Sequence, residues 1–294
     1  MRIGALGLLL LSGCAGPVLA PAILSERFCL TPADDVAAAP PVQAASLPAY
    51  SPRARRVAES IGAAPALAEL STTHSAARRV ELRQAVLERV VAAQLDIQIA
   101  LATIDCEGER GDQLRGVLEA RESRRNRRLT WASIGAGAAT AIATGGLALA
   151  GAATASAAAG IAGGAAEASA AGVQFFGAPR GQLSTRRNLL REAEARPAAT
   201  ALFPPVVWRY LSRDEGSGSI LSELAAQWHA AGFLEDAGTP EGRARAALIF
   251  GEGGAYTAED LQARGAMLDT LEAAIGRMNR GLRLLLAEME ARGR

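Results

Sequence analysis

The sequence predicts an all-α fold: an elongated helical bundle of coiled-coil type, with an Ala/Gly-rich helical hairpin and a small C-terminal helical subdomain. Two observations lead to this prediction. Residues 53–128 and 257–294 repeat apolar side chains at three- and four-residue spacing, which is the period of one helix face. Residues 129–178 instead repeat small side chains every fourth position, which gives helices flat faces for close packing.

The start of the chain has the composition of a targeting signal. A minimal basic start and an apolar run over residues 3–11 lead into Leu11-Ser12-Gly13-Cys14. The apolar run is too short to span a membrane, so it belongs to a targeting segment and not to the fold. The Leu-Ser-Gly-Cys run resembles the lipobox of bacterial lipoproteins.

This resemblance implies that residues 1–13 are a signal peptide and that Cys14 becomes the acylated first residue of the mature chain. Two or more acyl chains, such as palmitate, hold a protein stably on a membrane. Ala15 after the cysteine, in place of Asp, is similar to lipoproteins that are sent to the outer membrane and face the periplasm. Ordinary secretory cleavage after Ala20 is the competing interpretation.

Residues 14–52 are predicted to be a lipidated anchor followed by a Pro/Ala-rich tether, because prolines recur through residues 32–52. With Cys14 acylated, Cys29 and Cys106 remain. An even pair in an oxidising compartment predicts a disulfide between them. Two buried free thiols are the alternative, because sequence alone cannot show which cysteines pair.

Residues 53–128 are predicted to be a long helical segment. A short helix is expected over residues 53–70, and the polar break at 71–75 offers N-caps for the helical pattern that follows. Glycines at 108 and 111 interrupt that pattern, so a kink or a short turn is expected there. The predicted apolar seam contains Leu87, Val90, Gln94, Ile97, Leu101 and Ile104.

Five arginines end this segment, directly before the uncharged stretch. They could bind anionic lipid head groups. Alternatively, they form a solvated helix end that favours the helix dipole or an acidic partner helix. The second interpretation is preferred, because the helical pattern continues through the arginines. The five residues are Arg121, Arg124, Arg125, Arg127 and Arg128.

Residues 129–178 are predicted to be a helical hairpin, because the stretch from Leu129 to Ala166 has no charge and is rich in Ala and Gly. A turn is expected between Gly145 and Gly151. The composition resembles the glycine-zipper segments of some bacterial envelope lipoproteins. The small residues proposed to pack helix against helix are Gly137, Gly145, Gly160 and Gly164.

The hairpin has two interpretations. It either enters a membrane and joins helices into an oligomer, or packs within a soluble bundle. Its helices are near the lower length limit for spanning a bilayer. Insertion is driven by Leu, Ile, Phe and Val, and residues 150–166 hold only Ile161 of this group. Packing within protein is therefore preferred.

Residues 179–256 are predicted to be a subdomain of short helices, one of them over residues 183–195. The aromatic residues around Trp208 are expected to form its core; a binding hot spot is the alternative. The glycine-rich run at 251–254 lacks the preceding strand and the lysine of a phosphate loop, so a turn is predicted.

Residues 257–294 are predicted to be a C-terminal coiled-coil helix. Thr257 to Asp260 resembles a capping box that opens it. Its apolar seam alternates three- and four-residue spacing without a break. The seam consists of Leu268, Leu271, Ile275, Met278, Leu282, Leu285 and Met289.

Composition and motifs argue against most chemical functions. The 31 basic residues are all Arg and are balanced by 30 Asp and Glu, whereas nucleic-acid binding needs a basic footprint. The only histidines, His74 and His229, are far apart in sequence, and no His/Cys group has metal-ligand spacing. No catalytic motif is present. We therefore expect no catalytic residue, metal, cofactor or small-molecule substrate.

These observations predict a membrane-anchored envelope lipoprotein that acts as a structural or assembly module without catalysis. Its partners would be the membrane, through the anchor, and a protein partner or a second copy of the chain. The alternative is a membrane-inserting or pore-forming component that uses the hairpin. An enzyme without a recognisable motif is the least supported class.

Overall fold

The computed structural model of the chain describes residues 25–29, 45–149 and 178–292, apart from residues 215, 217, 235 and 237. This part of the chain is predominantly helical, which confirms the predicted all-α fold. Its elements are α1 (Glu26–Cys29), α2 (Pro52–Ser60), α3 (Ala64–Leu70), α4 (Ala76–Leu149), β1 (Gly181–Ser184), α5 (Leu189–Ala195), α6 (Pro205–Ser212), α7 (Ile220–Ala230), α8 (Pro240–Phe250), β2 (Gly253–Tyr256) and α9 (Ala258–Ala291).

Helices α4 and α9 are the two long helices of the body and run antiparallel. The first turns of α9 lie against the middle of α4, where Arg264 contacts Glu107. The last turns of α9 lie against α2, where Gly281 faces Val57. The loop after α2 in turn accepts a hydrogen bond of 3.3 Å from Arg89, early in α4. The end of α9 therefore lies beside the start of α4.

One apolar core lies between these helices. Helices α2 and α3 and the short helices α5–α8 add buried side chains to the same core. Burying a large apolar side chain contributes roughly 1.5–3 kcal/mol, so this shared core is the main source of stability. The predicted seam of α9 is confirmed, since all of its members are buried: Leu268, Leu271, Ile275, Met278, Leu282, Leu285 and Met289.

The seam that α4 turns toward the core differs from the predicted one. Leu87 is 41% exposed and Gln94 is also exposed, so placing them in the seam was wrong. Two neighbouring rows of α4 both carry apolar residues at three- and four-residue spacing. The row that is buried includes alanines, which let the other helices approach α4 closely. It consists of Leu82, Val86, Val90, Ala93, Ile97, Ala100 and Ile104.

Helix α4 passes through Gly108 and Gly111 without a break, so of the two expected outcomes, a kink or a short turn, the turn is wrong. Glycine in a helix interior costs about 1 kcal/mol relative to alanine. Ile104 before the glycines and Leu114 after them are both buried. Packing on both sides therefore outweighs the weak helix propensity of the glycines.

The helix predicted over residues 53–70 is two helices. Gly62 separates α2 from α3 with a φ of 69°, a conformation that glycine adopts without steric cost. Ser51 caps α2, because its side chain accepts a hydrogen bond from the backbone N–H of Ala54 at 3.4 Å. The predicted polar break before α4 is confirmed, with Ser75 accepting a hydrogen bond from the N–H of Arg78 at 3.4 Å.

An antiparallel two-stranded sheet was not predicted. Gly181 of β1 pairs with Tyr256 of β2, and the register continues to the end of both strands. The helix expected from Leu183 is therefore wrong at its start, because Leu183 lies in β1. Helix α5 begins at Leu189, where the Asn188 side chain accepts hydrogen bonds from two backbone N–H groups of its first turn.

Asn188 also explains why the two strands meet. Its side-chain amide donates to the carbonyls of Ile249 at 2.7 Å and Gly251 at 2.9 Å. These bonds hold the start of α5 against the end of α8, so the segments before α5 and after α8 lie side by side. The turn predicted over residues 251–254 is thus only partly right, since Gly253 and Gly254 belong to β2.

The aromatic residues around Trp208 belong to the core, as the preferred interpretation had it. Phe203, Trp208 and Tyr210 are buried. The rings of Phe203 and Trp208 stack with their centroids 5.4 Å apart. The indole N–H of Trp208 donates to the carbonyl of Pro197 at 3.1 Å, which satisfies the one polar group of that side chain.

Helix α9 approaches α2 most closely at Gly281. A Cβ atom added at Gly281 would lie 2.5 Å from Cγ2 of Val57, a stiff side chain that is fully buried. A Cβ atom added at Gly276 of the same helix would meet nothing within 4 Å. The two glycines therefore separate the packing cost of a methyl group from its effect on helix propensity.

We predict that Gly281→Ala lowers the free energy of unfolding by about 1–3 kcal/mol, because overpacking forces the helices apart. Gly276→Ala is the control and is expected to raise it by about 0.5–1 kcal/mol through helix propensity. Urea denaturation followed by circular dichroism measures both. Equal effects of the two substitutions would contradict the close approach of α2 and α9.

Candidate interaction surface on helix α4

A disulfide ties the N-terminal segment to the middle of α4. It joins Cys29 at the end of α1 to Cys106, with a Cα–Cα distance of 5.3 Å. The predicted pairing is thus present in the structure. Closing a loop of this length stabilises the folded state by about 4 kcal/mol in the chain-entropy model. The bond holds α1 against the middle of α4. The next described segment, which begins at residue 45, instead packs near the end of α9.

Next to the disulfide lies a buried cluster of three charged residues. Glu107, Arg110 and Arg264 are each no more than 3% exposed. One guanidinium nitrogen of Arg110 donates to both carboxylate oxygens of Glu107, at 2.7 and 2.8 Å. Arg264 donates to the same carboxylate at 3.3 Å and to the Glu107 carbonyl at 3.4 Å. Glu107 thereby links α4 to α9.

The cluster also holds the two-stranded sheet. The second guanidinium nitrogen of Arg110 donates to the carbonyl of Ser184 in β1 at 2.9 Å. Tyr256 of β2 is fully buried nearby, and its hydroxyl donates to the carbonyl of Leu248 at 2.7 Å. The charged cluster therefore fixes the junction of α4, α9 and the sheet.

Burial dominates the protonation energetics here. Burial lowers the pKa of the Arg264 guanidinium, and the Glu107 carboxylate partly opposes this change. Burial also raises the pKa of the Tyr256 hydroxyl above its usual value. A buried ion pair gains little net free energy, whereas removing one partner leaves an uncompensated charge that is strongly destabilising. Such a cluster specifies one register between α4 and α9.

Sequence reasoning missed this cluster, although a signal was present. Arg264 lies three residues after Leu261 and four before Leu268, so it occupies a seam position of α9. Glu107 lies three residues after Ile104 and continues the buried row of α4 in the same way. Two opposite charges that each interrupt an apolar seam predict that the seams meet at those positions.

The packed body ends a few turns after the cluster. Leu114 and Leu118 pack with Leu183, Tyr256 and Leu261 in a small second core. None of the described α4 side chains that follow Leu118 is buried. The helix nevertheless continues to Leu149, which is roughly 45 Å further at 1.5 Å per residue.

This continuation begins with the five arginines. Arg121, Arg124, Arg127 and Arg128 are exposed, and Arg125 is half-buried. The expectation that the helix runs through them is confirmed. The interpretation of the arginines as a helix end is wrong, because α4 continues to Leu149 and the helix dipole acts only near the last turn.

Two large apolar residues follow the arginines, with Trp131 72% exposed and Ile134 57% exposed. From Arg124 the spacings to Arg127, Trp131 and Ile134 are three, four and three residues, so these four side chains share one face of α4. We call these four residues the Arg–Trp face.

The residues proposed to pack the hairpin are only partly described. Gly137 and Gly145 lie within α4, which continues through Gly145 to Leu149. Gly160 and Gly164 lie outside the described residues. The turn expected between Gly145 and Gly151 is wrong for residues 145–149, because these are helical; Ala150 and Gly151 lie outside the described residues. Cys14 and the proposed signal peptide also lie outside them. In the described part of the chain, no helix is both long and apolar enough to cross a membrane.

Other candidate chemistry is sparse in the described residues. His74 and His229 are both exposed. Over residues 25–29, 45–149 and 178–292, with their short gaps, no group of His, Cys, Asp and Glu could hold a metal ion. The part of α4 that follows Leu118 and carries the Arg–Trp face is therefore the surface that we consider for function.

Comparison of the chain with protein-family models, with curated proteins and with solved structures found no match.

We predict that Glu107→Gln lowers the free energy of unfolding by about 3–5 kcal/mol, because it removes the carboxylate charge that two buried guanidinium groups share. Arg264→Met, which removes a charge from the same cluster, is expected to cost markedly less, since Glu107 remains paired with Arg110. Chemical denaturation of both variants measures this. A larger loss for Arg264→Met than for Glu107→Gln would contradict the role of Glu107 as the shared partner.

Proposed function

We propose that this chain is a lipid-anchored structural or assembly module of a bacterial cell envelope, without catalytic activity. The lipobox-like sequence ending at Cys14 supports the anchor, and Ala15 in place of Asp supports an outer-membrane location facing the periplasm. The disulfide between Cys29 and Cys106 suits an oxidising compartment, where such bonds persist.

The observation that carries the structural role is the architecture of α4. Its first part is packed by α9 and the short helices, whereas its second part continues beyond the second core with exposed charged and aromatic side chains. A rigid body that presents one long helix is suited to holding a partner or a second copy of the chain. Exposed Trp and Arg are the residue types that dominate binding energy at protein interfaces.

A membrane-inserting or pore-forming component is the second candidate. One observation favours it: α4 stays helical from Leu129 to Leu149, a stretch without any charged residue. Ala and Gly contribute little to transfer into lipid, which is why we place this candidate second. A dye-release assay with vesicles separates the two candidates, because only the second candidate predicts leakage.

We predict that Cys14→Ser abolishes acyl labelling and releases the protein from the membrane fraction of cells. Acylation needs the thiol, and without acyl chains stable anchoring is lost. Metabolic labelling with a fatty-acid analogue and cell fractionation measure the two effects. Cys29→Ser is the matched control, because it removes a cysteine outside the lipobox and should leave labelling intact. A wild-type protein that is soluble and carries no fatty acid would contradict the proposed lipid anchor.

A further inference from the structure

The Arg–Trp face has the residue order of a membrane–water interface. Arg124 and Arg127 come first along the helix, then Trp131 and Ile134, and after Arg128 the described part of α4 has no charged residue. Arginine attracts anionic head groups, tryptophan prefers the head-group level, and isoleucine prefers the acyl region. All four side chains are exposed.

Charge distribution around the face favours an anionic partner. Five arginines lie between Leu118 and Leu129, against only two acidic residues, Glu119 and Glu122. The chain as a whole has a formal net charge of +1, so this excess is local. Each basic residue near an anionic lipid surface raises the affinity about fivefold.

The disulfide places the proposed lipid anchor within reach of this face. Arg127 lies roughly 30 Å along α4 from Cys106. The chain from Cys14 to Cys29 spans at most roughly 50 Å when fully extended. Because Cys29 is bonded to Cys106, an acylated Cys14 and the Arg–Trp face can meet the same membrane surface.

Without that bond the anchor would join the body elsewhere. The first described residues after α1 pack near the end of α9, where the backbone N–H of Ser51 donates to Glu288 at 3.0 Å and Arg292 lies 4.3 Å from the ring of Tyr50. This region is beside the start of α4, at the opposite end of the body from the arginines. The disulfide therefore selects which end of the molecule faces the anchor.

We propose that the Arg–Trp face binds the anionic phospholipid surface of the membrane that holds Cys14, and that the Cys29–Cys106 disulfide orients the body for this contact. The part concerning the anchor rests on the proposed function above. The lipid anchor raises the local concentration of membrane surface at the face, so a contact that is weak by itself becomes stable.

The test uses the full acylated protein, reconstituted into vesicles of phosphatidylcholine alone or with phosphatidylglycerol added. Trp131 is observed as the difference in fluorescence between the wild type and Trp131→Phe. We expect its emission to shift to the blue and to resist quenching by aqueous acrylamide only in the anionic vesicles. Raising the salt to 1 M shortens the screening length to about 3 Å and should remove the protection.

Arg124→Gln combined with Arg127→Gln should reduce the fraction of molecules with a protected Trp131, with the binding equilibrium falling roughly thirtyfold for two arginines. Arg280→Gln combined with Arg283→Gln is the matched control, because both arginines are exposed on α9 at the same three-residue spacing. The control should keep the protection. Equal protection in neutral and anionic vesicles, or equal losses in both double variants, would overturn the proposal.

Two further experiments separate lipid binding by the Arg–Trp face from anchoring by Cys14. Reduction of the disulfide should lower Trp131 protection while the protein stays on the vesicles; unchanged protection would overturn the orienting role. If the protein proves not to be acylated, the proposed function fails, but sedimentation with the anionic vesicles at low salt still tests the face. Loss of that sedimentation in the Arg124/Arg127 variant alone would support the face independently of the anchor.

Discussion

The antiparallel packing of α9 on the first part of α4 is the interaction on which the rest of the structure depends. It buries the seams of the two long helices against each other and provides the core onto which the short helices pack. Small residues such as Ala93 and Ala100 on α4 permit this packing, and Gly281 lets the same helix α9 approach α2 closely. Since α9 is far shorter than α4, the same packing does not bury the described α4 side chains that follow Leu118.

The boundary between the packed and the continuing parts of α4 is marked by specific chemistry. Glu107 accepts hydrogen bonds from two buried arginines and fixes the register of α9 and the sheet, and Cys106 beside it receives the disulfide from α1. These polar and covalent constraints lie within a few turns of the arginines. The orientation of the body relative to anything bound at the Arg–Trp face is therefore set at this boundary.

Much of this architecture could be predicted from local patterns. The seam of α9, its capping box at Thr257 and the helix start at Pro205 depend on interactions between residues that are close in sequence. Such features can be predicted from the sequence alone. Features that depend on distant segments could not be predicted in this way. The sheet forms because Asn188 binds the end of α8, and the buried row of α4 is the one that α9 covers, although the neighbouring row has the same spacing.

The candidate surface shows the same division. The cluster of arginines and the helical pattern through it are visible in the sequence. So is the position of Trp131, three residues after the last arginine. That the disulfide brings a proposed anchor toward this end of α4 needs the structure, because sequence cannot show which way the tether leaves the body. The Glu107 cluster is partly predictable. The sequence shows that Glu107 and Arg264 each interrupt an apolar seam, but only the fold shows that the two side chains are in contact.

Helix α4 is one continuous helix that runs from the packed core through the arginines, and the proposed contact at the Arg–Trp face depends on this continuity. Spin labels at Gln98→Cys and Ser123→Cys, both exposed positions on α4, test it by pulsed electron paramagnetic resonance in a Cys14→Ser chain with the disulfide intact. A continuous helix predicts one narrow distance distribution near 38 Å, at about 1.5 Å per residue. A broad distribution, or a clearly shorter distance from a bend at Gly108 and Gly111, would contradict the account.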